Sequence, residues 1–344
     1  MAKILYIGPD SGTSRHRFHA LQRLGHAVKL VDTFKAFGGV GALMTWGFRT
    51  GYLGLEHVIT NFTLSSVGNE IFDVVWVDNG ETVGKRLASA LKRHSRFMLN
   101  HNLDNPFTGR DGHRWRLFHQ ALPYYDLFAT PRASTRNSAQ ASGARRAIAV
   151  HFTADEVVHR PVTLSDADRA IFGSEVVFVG TWMPERGPFL KRIVDRGVPL
   201  RIFGPRWNKA PEYTDLFSLV TCRSLDDSDY VRAVAGSKIA IGLLSIGNED
   251  LHTTRSLEIP AIGSLLCAWR TSDHNELYLD GKEAVFFATP DECADACLAL
   301  LADEDRLKSI SAAGHARNLQ NNWFNERLCA DLLSTLSPSL ATAR

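Results

Sequence analysis

The sequence lacks a charge excess of either sign. Lys and Arg total 39 against 37 Asp and Glu, which gives a formal net charge of +2 over 344 residues. A protein that binds nucleic acid through its overall field carries a clear basic excess. We therefore expect no nucleic-acid partner, whereas a phosphate-bearing small ligand is compatible with this balance.

Cysteine is scarce and shows no clear metal-binding spacing. None of the five cysteines forms a Cys-x-x-Cys pair, and an odd count in a chain of this length predicts reduced thiols in the cytoplasm. Cys293 and Cys297 stand one helical turn apart, but without a nearby His or further Cys they are a weak zinc candidate. The sequence thus predicts a cytoplasmic protein without a bound metal.

Long apolar runs and a secretory leader are also absent. The N-terminus enters a short apolar strand with neither an h-region nor a cleavage site. Ala36–Phe48 and His57–Asn69 lack Asp, Glu, Lys and Arg, but each has thirteen residues, fewer than the ~20 that a spanning helix needs. We expect no membrane span. Ala36–Phe48 is predicted to be a mobile loop or short helix near a binding face, and peripheral membrane contact stays open.

What the chain does have is the composition of a globular protein, with 44% hydrophobic residues. Its length predicts two domains, and the alternation of β-rich runs with helix-length segments indicates the α/β class with parallel sheets. The pattern lapses near residues 160–174, as in a linker. We expect domains at 1–165 and 166–322, a C-terminal helix in 323–344 that packs on the first domain, and a ligand in the cleft between domains.

A turn of small residues follows the first predicted strand and reads Gly8-Pro9-Asp10-Ser11-Gly12-Thr13-Ser14-Arg15. Such a turn lets a ligand approach the backbone and exposes helix N–H groups to anions. Gly8 and Gly12 are four residues apart, so the turn is not a Gly-x-Gly-x-x-Gly dinucleotide motif. Two interpretations stay open: a tight turn capped by Ser or Thr, and a turn that contacts the substrate through Gly12 and Ser14.

A second turn opens the other half of the chain. An apolar strand ends at Gly180, the next loop carries Arg186, and Pro188 suits the first turn of a helix. The helix dipole and the guanidinium would converge on one point, which suits a diphosphate. The following strand ends similarly at Gly204. The alternative is that Arg186 is an ordinary surface side chain.

The most informative run is Thr253–Gly263. Thr253 or Thr254 is a natural N-cap, which puts Arg255 on the first turn of a helix and Glu258 about one turn deeper. Arg255 and free N–H groups can meet phosphates, while the Glu258 carboxylate can accept from two adjacent ribose hydroxyls. The pattern predicts recognition of a nucleotide diphosphate without metal. The alternative is that Glu258 is a buried carboxylate paired with Arg255.

The order of motifs in residues 175–330 follows a known pattern. Thr253–Gly263 reads Thr-x-Arg-x-x-Glu-x-x-Ala-x-Gly. A strand, the segment Asp280–Phe287 and two predicted helices follow. Asp291-Glu292 opens the first of these helices, and Ala313–Arg317 lies near the end of the second. This order resembles the group 1 GT-B glycosyltransferases, especially the branch related to spore-maturation glycosyltransferases. The resemblance implies an α/β protein of the GT-B fold, with two Rossmann-like doubly wound domains that face a central cleft.

The resemblance also implies a nucleotide-diphosphate sugar bound in the second domain, with Glu258 on the ribose and Arg186 and Arg255 near the diphosphate. Group 1 enzymes often carry two acidic residues eight positions apart, and Asp250 stands eight before Glu258. The match is partial, because Asp replaces the usual first Glu and its surroundings are less glycine-rich. A further departure is Thr181-Trp182, which stands where many relatives carry Arg. The expected donor-binding residues are Gly180, Arg186, Gly204, Asp250, His252, Thr253, Thr254, Arg255 and Glu258.

The first half resembles the family more loosely. Its clearest candidate is the strand end Asn100–Phe107, where relatives show a similar grouping of His, Asp and Pro. His101 or Asp104 is the candidate catalytic residue, which accepts the proton of the acceptor hydroxyl or orients the donor sugar; Asp104 before Asn105-Pro106 also fits a common turn. The expected acceptor-side residues are Gly12, Ser14, Asn79 and Trp115, of which Trp115 could stack on a sugar.

Basic residues cluster at two places in the first half. Lys85-Arg86, Lys92–His94 and Arg96 lie on and just after one predicted helix, and this face is typical either of a solvated surface or of a patch for a membrane or an acidic acceptor. Arg110, Arg114 and Arg116 follow the His101–Asp104 loop directly and are expected to shape the acceptor side.

We therefore expect a metal-independent glycosyltransferase without a cofactor, which moves a sugar from a nucleotide-diphosphate donor to a glycan, protein or small-molecule acceptor. Retention of the anomeric configuration follows from the resemblance alone. Two alternatives stay open: a nucleotide-sugar epimerase on the same fold, and a nucleotide-sugar-binding protein without turnover. The reaction product distinguishes an epimerase from a transferase, because an epimerase alters the nucleotide sugar without a second substrate.

Overall fold

The computed structural model describes residues 1–341 and divides them into two compact units. The first unit comprises Met1–Phe152, Ile246–Glu249 and the C-terminal segment from Asn325, and the second comprises Thr153–Ser245 and Asp250–Phe324. The division after Phe152 lies ahead of the expected boundary at 165/166.

The first unit alternates strands with helices. Its strands are β1 (Lys3–Ile7), β2 (Ala27–Val31), β3 (Phe72–Asp78), β4 (Ser95–His101), β5 (Leu127–Thr130) and β6 (Ala147–Ala149). Its helices before residue 152 are α1 (Gly12–Arg23), α2 (Gly41–Thr50), α3 (Glu56–Val67), α4 (Lys85–Arg93), α5 (Arg116–Ala121) and α6 (Ala133–Ala141).

The six strands form one parallel sheet in the order β2-β1-β3-β4-β5-β6. Alternate residues of β1 enter two different cores: Leu5 and Ile7 pack on one face, and Ile4 and Tyr6 on the other. A strand buried on both faces requires helices on both sides, which is the doubly wound arrangement. The chain reverses direction along the sheet between β1 and β3, so the carboxyl ends of these two strands mark the expected ligand position.

The second unit repeats this plan. Its strands are β7 (Ser174–Val179), β8 (Leu200–Phe203), β9 (Val220–Thr221), β10 (Ser237–Gly242), β11 (Leu265–Trp269) and β12 (Val285–Phe287). Its helices are α7 (Asp166–Phe172), α8 (Arg186–Asp195), α9 (Tyr213–Leu216), α10 (Asp227–Ala235), α11 (Thr254–Ile262), α12 (Ser272–Leu277), α13 (Pro290–Leu301) and α14 (Glu304–Asn321).

The second sheet is parallel as well, in the order β12-β11-β10-β7-β8-β9. Its direction reverses between β7 and β10. Inward side chains of β7, β8 and β10, such as Val176, Ile202 and Ile239, join one apolar core under α8 and α13. The carboxyl ends of β7 and β10 are therefore the expected ligand position of this unit.

Two helices close the described chain, α15 (Asn325–Leu336) and α16 (Pro338–Ala341). Leu328, Cys329, Leu332 and Leu333 of α15 are buried in the same core as Ile4 of β1. The C-terminal segment thus covers one face of the first sheet, and it belongs to the first unit.

The α/β class with two doubly wound sheets is confirmed. The expected linker at 160–174 instead contains α7, whose N-terminus is capped by reciprocal hydrogen bonds between Ser165 and Asp168. Ala36–Phe48, expected to be a loop or short helix, contains the start of α2. Over residues 1–341, no helix is long and apolar enough to cross a membrane.

Candidate functional site

Two glycines bring backbones together at the carboxyl ends of β7 and β8. The Gly180 N–H donates to the Phe203 carbonyl at 2.9 Å. Gly204 has a φ of +152°, and a Cβ built there would lie 2.0 Å from the Gly180 carbonyl oxygen. Only glycine fits at position 204, so the predicted small residues let the loops after β7 and β8 pack closely at this sheet edge.

Arg186 begins α8 and lies at the reversal point between β7 and β10. Its guanidinium donates to the Thr181 carbonyl at 2.9 Å and reaches the Leu244 carbonyl at 3.5 Å. The guanidinium also lies over the Phe178 ring, 5.6 Å from its centroid. Arg186 is thus a half-buried cation that joins the loops after the two central strands, rather than a loose surface side chain.

The N-terminus of α11 is held by a chain of hydrogen bonds. The Thr253 N–H donates to Ser256 Oγ at 3.1 Å, and Ser256 Oγ lies 2.7 Å from His274 Nε2. His274 Nδ1 lies 2.6 Å from the Trp269 carbonyl. Burial lowers the pKa of His274 to about 4, so the neutral ring donates from Nδ1 and accepts at Nε2. Thr254 is the first residue of the helix.

Pro260 lies inside α11, where it cannot donate to the Ser256 carbonyl. The Tyr278 hydroxyl donates to this carbonyl at 3.0 Å. The helix ends at Gly263, whose φ is +96°. A proline is therefore tolerated in this helix because a side chain from the following segment replaces the lost backbone donor.

Arg255 and Glu258 form an ion pair near the start of α11, and the Glu258 side chain is buried. The Arg255 guanidinium donates to the Glu258 carboxylate and lies 4.0 Å from the centroid of the Tyr230 ring. His159 Nε2 is 3.7 Å from the other carboxylate oxygen. Burial raises the pKa of Glu258, but the charges of Arg255 and His159 outweigh it and hold the pKa below its ordinary value.

The exposure of the two partners differs. The side chain of Arg255 is 35% exposed, whereas that of Glu258 is 1% exposed. An anion can therefore reach Arg255 directly, while a ribose hydroxyl reaches Glu258 only after the ion pair rearranges. The structure has the buried ion pair that the sequence left open as the alternative for Glu258, and the contact with ribose stays a prediction.

Asp250 and His252 stabilise the segment before α11. The Asp250 carboxylate accepts from the Ser245 N–H at 3.2 Å. His252 is buried, and its Nδ1 lies 2.7 Å from the Asp273 carboxylate. Both side chains bind other protein groups in this structure, and their contact with the nucleotide-sugar donor stays a prediction.

The first unit has a buried charge cluster at its own reversal point. Arg17 of α1 binds Asp78 at the end of β3 through two hydrogen bonds of 3.0 and 2.8 Å. His101 is fully buried, with Nδ1 3.6 Å from the same carboxylate. Burial raises the pKa of Asp78, but Arg17 and His101 hold it well below its ordinary value. Burial lowers the pKa of His101.

These contacts redefine His101. Because the ring has no exposed surface, it cannot take a proton from an acceptor hydroxyl without a movement of the surrounding chain. Sequence reasoning missed Arg17, although a signal existed: Arg17 follows Ser14 by three residues, so both lie on the buried face of α1. Ser14 Oγ is 3.3 Å from the Tyr6 hydroxyl, which gives it a packing role in this structure.

Asp104 is more accessible and lies among polar side chains. Its carboxylate accepts from Arg114 at 3.3 Å, from Asn79 at 3.5 Å and from Asn248 at 3.4 Å. Its side chain is 28% exposed. Of the two candidate catalytic residues, Asp104 is the one that a substrate can reach in this structure.

Glu81 joins the same network. Arg114 donates to one carboxylate oxygen, and the Tyr52 hydroxyl donates to the other at 2.6 Å. Burial raises the pKa of Glu81 above its ordinary value despite both contacts. Glu81, Asn79 and Arg114 line a cavity of about 70 Å³ beside the turn after β1.

Two acceptor-side predictions have different outcomes. Gly12 begins α1 with a φ of +50° and open space around it, so the turn has room for a ligand. Trp115 is buried in the core of the first unit; Arg114 covers its ring and Phe118 contacts it edge-on. The prediction that Trp115 stacks on a sugar is wrong for this arrangement, because neither face of the ring is available.

The fold places a third cysteine, Cys267, beside the pair Cys293 and Cys297. Cys267 of β11 lies with Cys293 and Cys297 of α13, and their sulfurs are within 4.8 Å of one another. All three are buried among the aliphatic and aromatic side chains of the second core. Hydrogen bonds with the other two sulfurs, together with burial, raise the pKa of Cys267. The thiol form of Cys267 thus packs here as a small apolar side chain.

Comparison with known proteins gives the class. Residues 186–334 match the family model described as glycosyl transferase-like. Sucrose-phosphate synthase from Thermosynechococcus elongatus superposes with a TM-score of 0.64 at 11% identity, over 100% of both chains. HepE from Anabaena, in complex with UDP and glucose, superposes with a TM-score of 0.65 at 14% identity, over 98% of this chain and 100% of that one.

A third similar structure is a Listeria monocytogenes protein assigned as a UDP-N-acetylglucosamine 2-epimerase, with a TM-score of 0.58 at 12% identity over 99% of this chain and 98% of that one. None of the curated proteins matches the chain. Residues 186–334 thus match a glycosyl transferase-like family, and the chain has the GT-B fold of the glycosyltransferases on which it superposes. The expected class is thus confirmed, and the spore-maturation branch stays a prediction.

Proposed function

We propose that this glycosyltransferase takes its sugar from a nucleoside-diphosphate donor bound at the carboxyl edge of the second sheet. The observation that carries the proposal is the position of Arg186 at the reversal point of the sheet, on the same edge as the N-terminus of α11. Helix N-termini and arginines bind phosphate oxygens through N–H groups. Arg255, exposed on one face, supplies a second cation.

The proposed donor is a uridine diphosphate sugar. HepE from Anabaena has a similar fold and is in complex with UDP and glucose, which supports this choice of base. In the proposed complex, Arg255 turns from Glu258 to the diphosphate, and the freed carboxylate accepts from the ribose hydroxyls. The buried pair would then be the ligand-free arrangement of the donor site.

The proposed transfer needs no metal and retains the anomeric configuration. As the glycosidic bond breaks, negative charge develops on the leaving diphosphate, and fixed guanidinium groups and helix N–H groups can stabilise it. The proposed acceptor side is in the first unit, where Asp104 is the accessible carboxylate and His101 holds the loop through Asp78. Five free cysteines support the proposed cytoplasmic location.

A transfer assay tests this proposal. The protein is incubated with UDP-glucose and a panel of glycan, protein and small-molecule acceptors, and UDP release and the product's anomeric proton signals are followed by NMR. We expect acceptor-dependent UDP release, a product with the donor's anomeric configuration, and the same rate in excess EDTA. A rate that requires added Mg²⁺ or Mn²⁺ would contradict metal independence.

The same assay separates the second candidate. The similar fold of the Listeria protein is the observation that keeps an epimerase in view. An epimerase would convert the nucleotide sugar to its epimer with no acceptor present and without releasing UDP. Conversion of this kind would replace the transferase proposal, and binding without any turnover would favour a non-catalytic role.

A further inference from the structure

The helix α2 of the first unit exposes an unusual number of large apolar side chains. Among its ten residues only Gly47 is buried. The exposed apolar residues of α2 and its flanks, here called the α2 patch, are 37–53% exposed and comprise Val40, Leu43, Met44, Trp46, Phe48 and Leu53. A group of this kind on one short segment marks an interaction surface.

Within the segment that carries the α2 patch, charge has one sign. Residues 36–55 contain a single charged side chain, Arg49, and no acidic one. Gly51 lies so close to the loop before α5 that a Cβ would be 2.0 Å from the His113 carbonyl oxygen, and Arg116 donates to the Gly51 carbonyl at 3.2 Å. A second cation therefore lies at the C-terminal end of α2.

Further cations come from the start of α4. The Arg86 N–H donates to the Glu56 carboxylate at the start of α3, at 3.0 Å, so the basic pair Lys85-Arg86 adjoins the segment that follows α2. Both side chains are exposed. Lys35, just before the patch, lies 3.3 Å from the Asp10 carboxylate. Asp10 and Glu56 are the carboxylates beside the patch, and they already contact Lys35 and the Arg86 N–H.

We propose that the α2 patch docks on the surface of an anionic lipid bilayer. Apolar side chains that include Trp and Phe, with a border of Lys and Arg, are the features by which a helix lies in a membrane interface. Trp46 suits the headgroup level because its ring is amphipathic; its indole N–H donates to the Leu53 carbonyl at 3.1 Å. The basic border complements anionic headgroups.

A second copy of the chain fits this surface less well. In a symmetric dimer the same patch meets itself, which would bring the basic border of one copy, with Arg49, Arg116 and the Lys85-Arg86 pair, near the basic border of the other. Like charges that approach in this way are unfavourable. A bilayer with negative headgroups can bury the apolar side chains of the patch and attract its basic border at the same time.

Vesicle co-sedimentation tests the proposal. The full chain is mixed with vesicles of phosphatidylcholine, or of equal parts phosphatidylcholine and phosphatidylglycerol, at low and high salt. We expect binding to the anionic vesicles that weakens as salt rises, because screening acts on the basic border. The double variant Trp46→Glu/Phe48→Glu should lose about tenfold or more of this binding.

The matched control is Phe217→Glu, which places the same charge at an exposed aromatic residue of the second unit and should bind vesicles as the parent chain does. A second double variant, Leu43→Glu/Met44→Glu, should repeat the loss, and thermal unfolding checks that both variants fold. Equal vesicle binding by the parent chain and the double variants would overturn the proposal, as would equal binding to neutral and anionic vesicles. It would also be overturned if the parent chain were a dimer in solution and the double variants were monomers.

Discussion

At the scale of single residues, burial decides what the charged side chains can do. Arg17, Asp78 and His101 are all buried at the end of β3 and β4, so they act on the structure of the loop that carries Asp104. Arg255 and Glu258 show the same chemistry in the second unit, except that Arg255 keeps exposed surface. The accessible groups, Arg255 and Asp104, are the ones expected to meet substrates.

The Arg17–Asp78 pair gives a stability prediction. Replacing Arg17 by Ala leaves a buried carboxylate without its partner, which typically costs about 3–5 kcal/mol of unfolding free energy. Urea unfolding followed by circular dichroism measures the loss. Arg327→Ala, which removes an exposed pair with Asp331, is the matched control and should cost less than about 1 kcal/mol. Equal losses in the two variants would contradict the assigned burial.

The pH dependence of this difference follows from the lowered pKa of Asp78. A carboxyl whose folded-state pKa is depressed stabilises the fold above its unfolded pKa of about 3.9, and the contribution is lost as the pH falls further. In Arg17→Ala the unpaired carboxyl is easier to protonate. The stability gap between the parent and the variant should therefore narrow as the pH falls through the pKa of this carboxyl in the folded variant towards the lower pKa of Asp78 in the parent.

At the scale of elements, α11 shows how local sequence and tertiary contacts combine. Its start was predictable from Thr253 and its end from Gly263, because caps and stops are local signals. The hydrogen bonds of Ser256 with His274 and Tyr278 join residues about twenty positions apart, and no local pattern indicates them. The pairing of Glu258 was left as one of two alternatives for the same reason.

Pro260 and Tyr278 give a coupled prediction. In the parent chain, Tyr278→Phe removes the donor to the buried Ser256 carbonyl and should cost about 1–3 kcal/mol of unfolding free energy. In the Pro260→Ala background the alanine supplies a backbone N–H that can donate to that carbonyl, so the same change should cost measurably less. A double-mutant cycle by urea unfolding measures the difference, and additive costs would show that the hydroxyl has another role.

The strands and helices differ in how far local sequence predicts them. The apolar strands that the sequence predicts before Gly8 and up to Gly180 correspond to β1 and β7, because a strand buried on both faces has a distinct composition. The sequence does not indicate α7, because this helix lies in a stretch that is typical of a linker. Trp115 was misjudged because burial among Phe118 and Arg114 depends on the fold.

At the scale of the whole molecule, the two doubly wound units carry different functional groups. The second unit has the glycines, the arginines and the helix N-terminus that suit a diphosphate, while the first has the accessible carboxylate Asp104 and the α2 patch. The excursion Ile246–Glu249 belongs to the first unit, where Asn248 contacts Asp104 at 3.4 Å. The near-neutral net charge thus conceals local clusters of cations in both units.

The central claim is that the second unit binds a nucleoside diphosphate through Arg255, and calorimetric titration with UDP tests it most directly. Arg255→Lys keeps the charge but loses the planar fork that binds two phosphate oxygens. We predict binding at least about tenfold weaker, about 1.4 kcal/mol, in this variant. Arg223→Ala, which alters an arginine of the same unit bound to Asp229, should leave the affinity unchanged. UDP affinity that is the same in Arg255→Lys and in the parent chain would contradict the account.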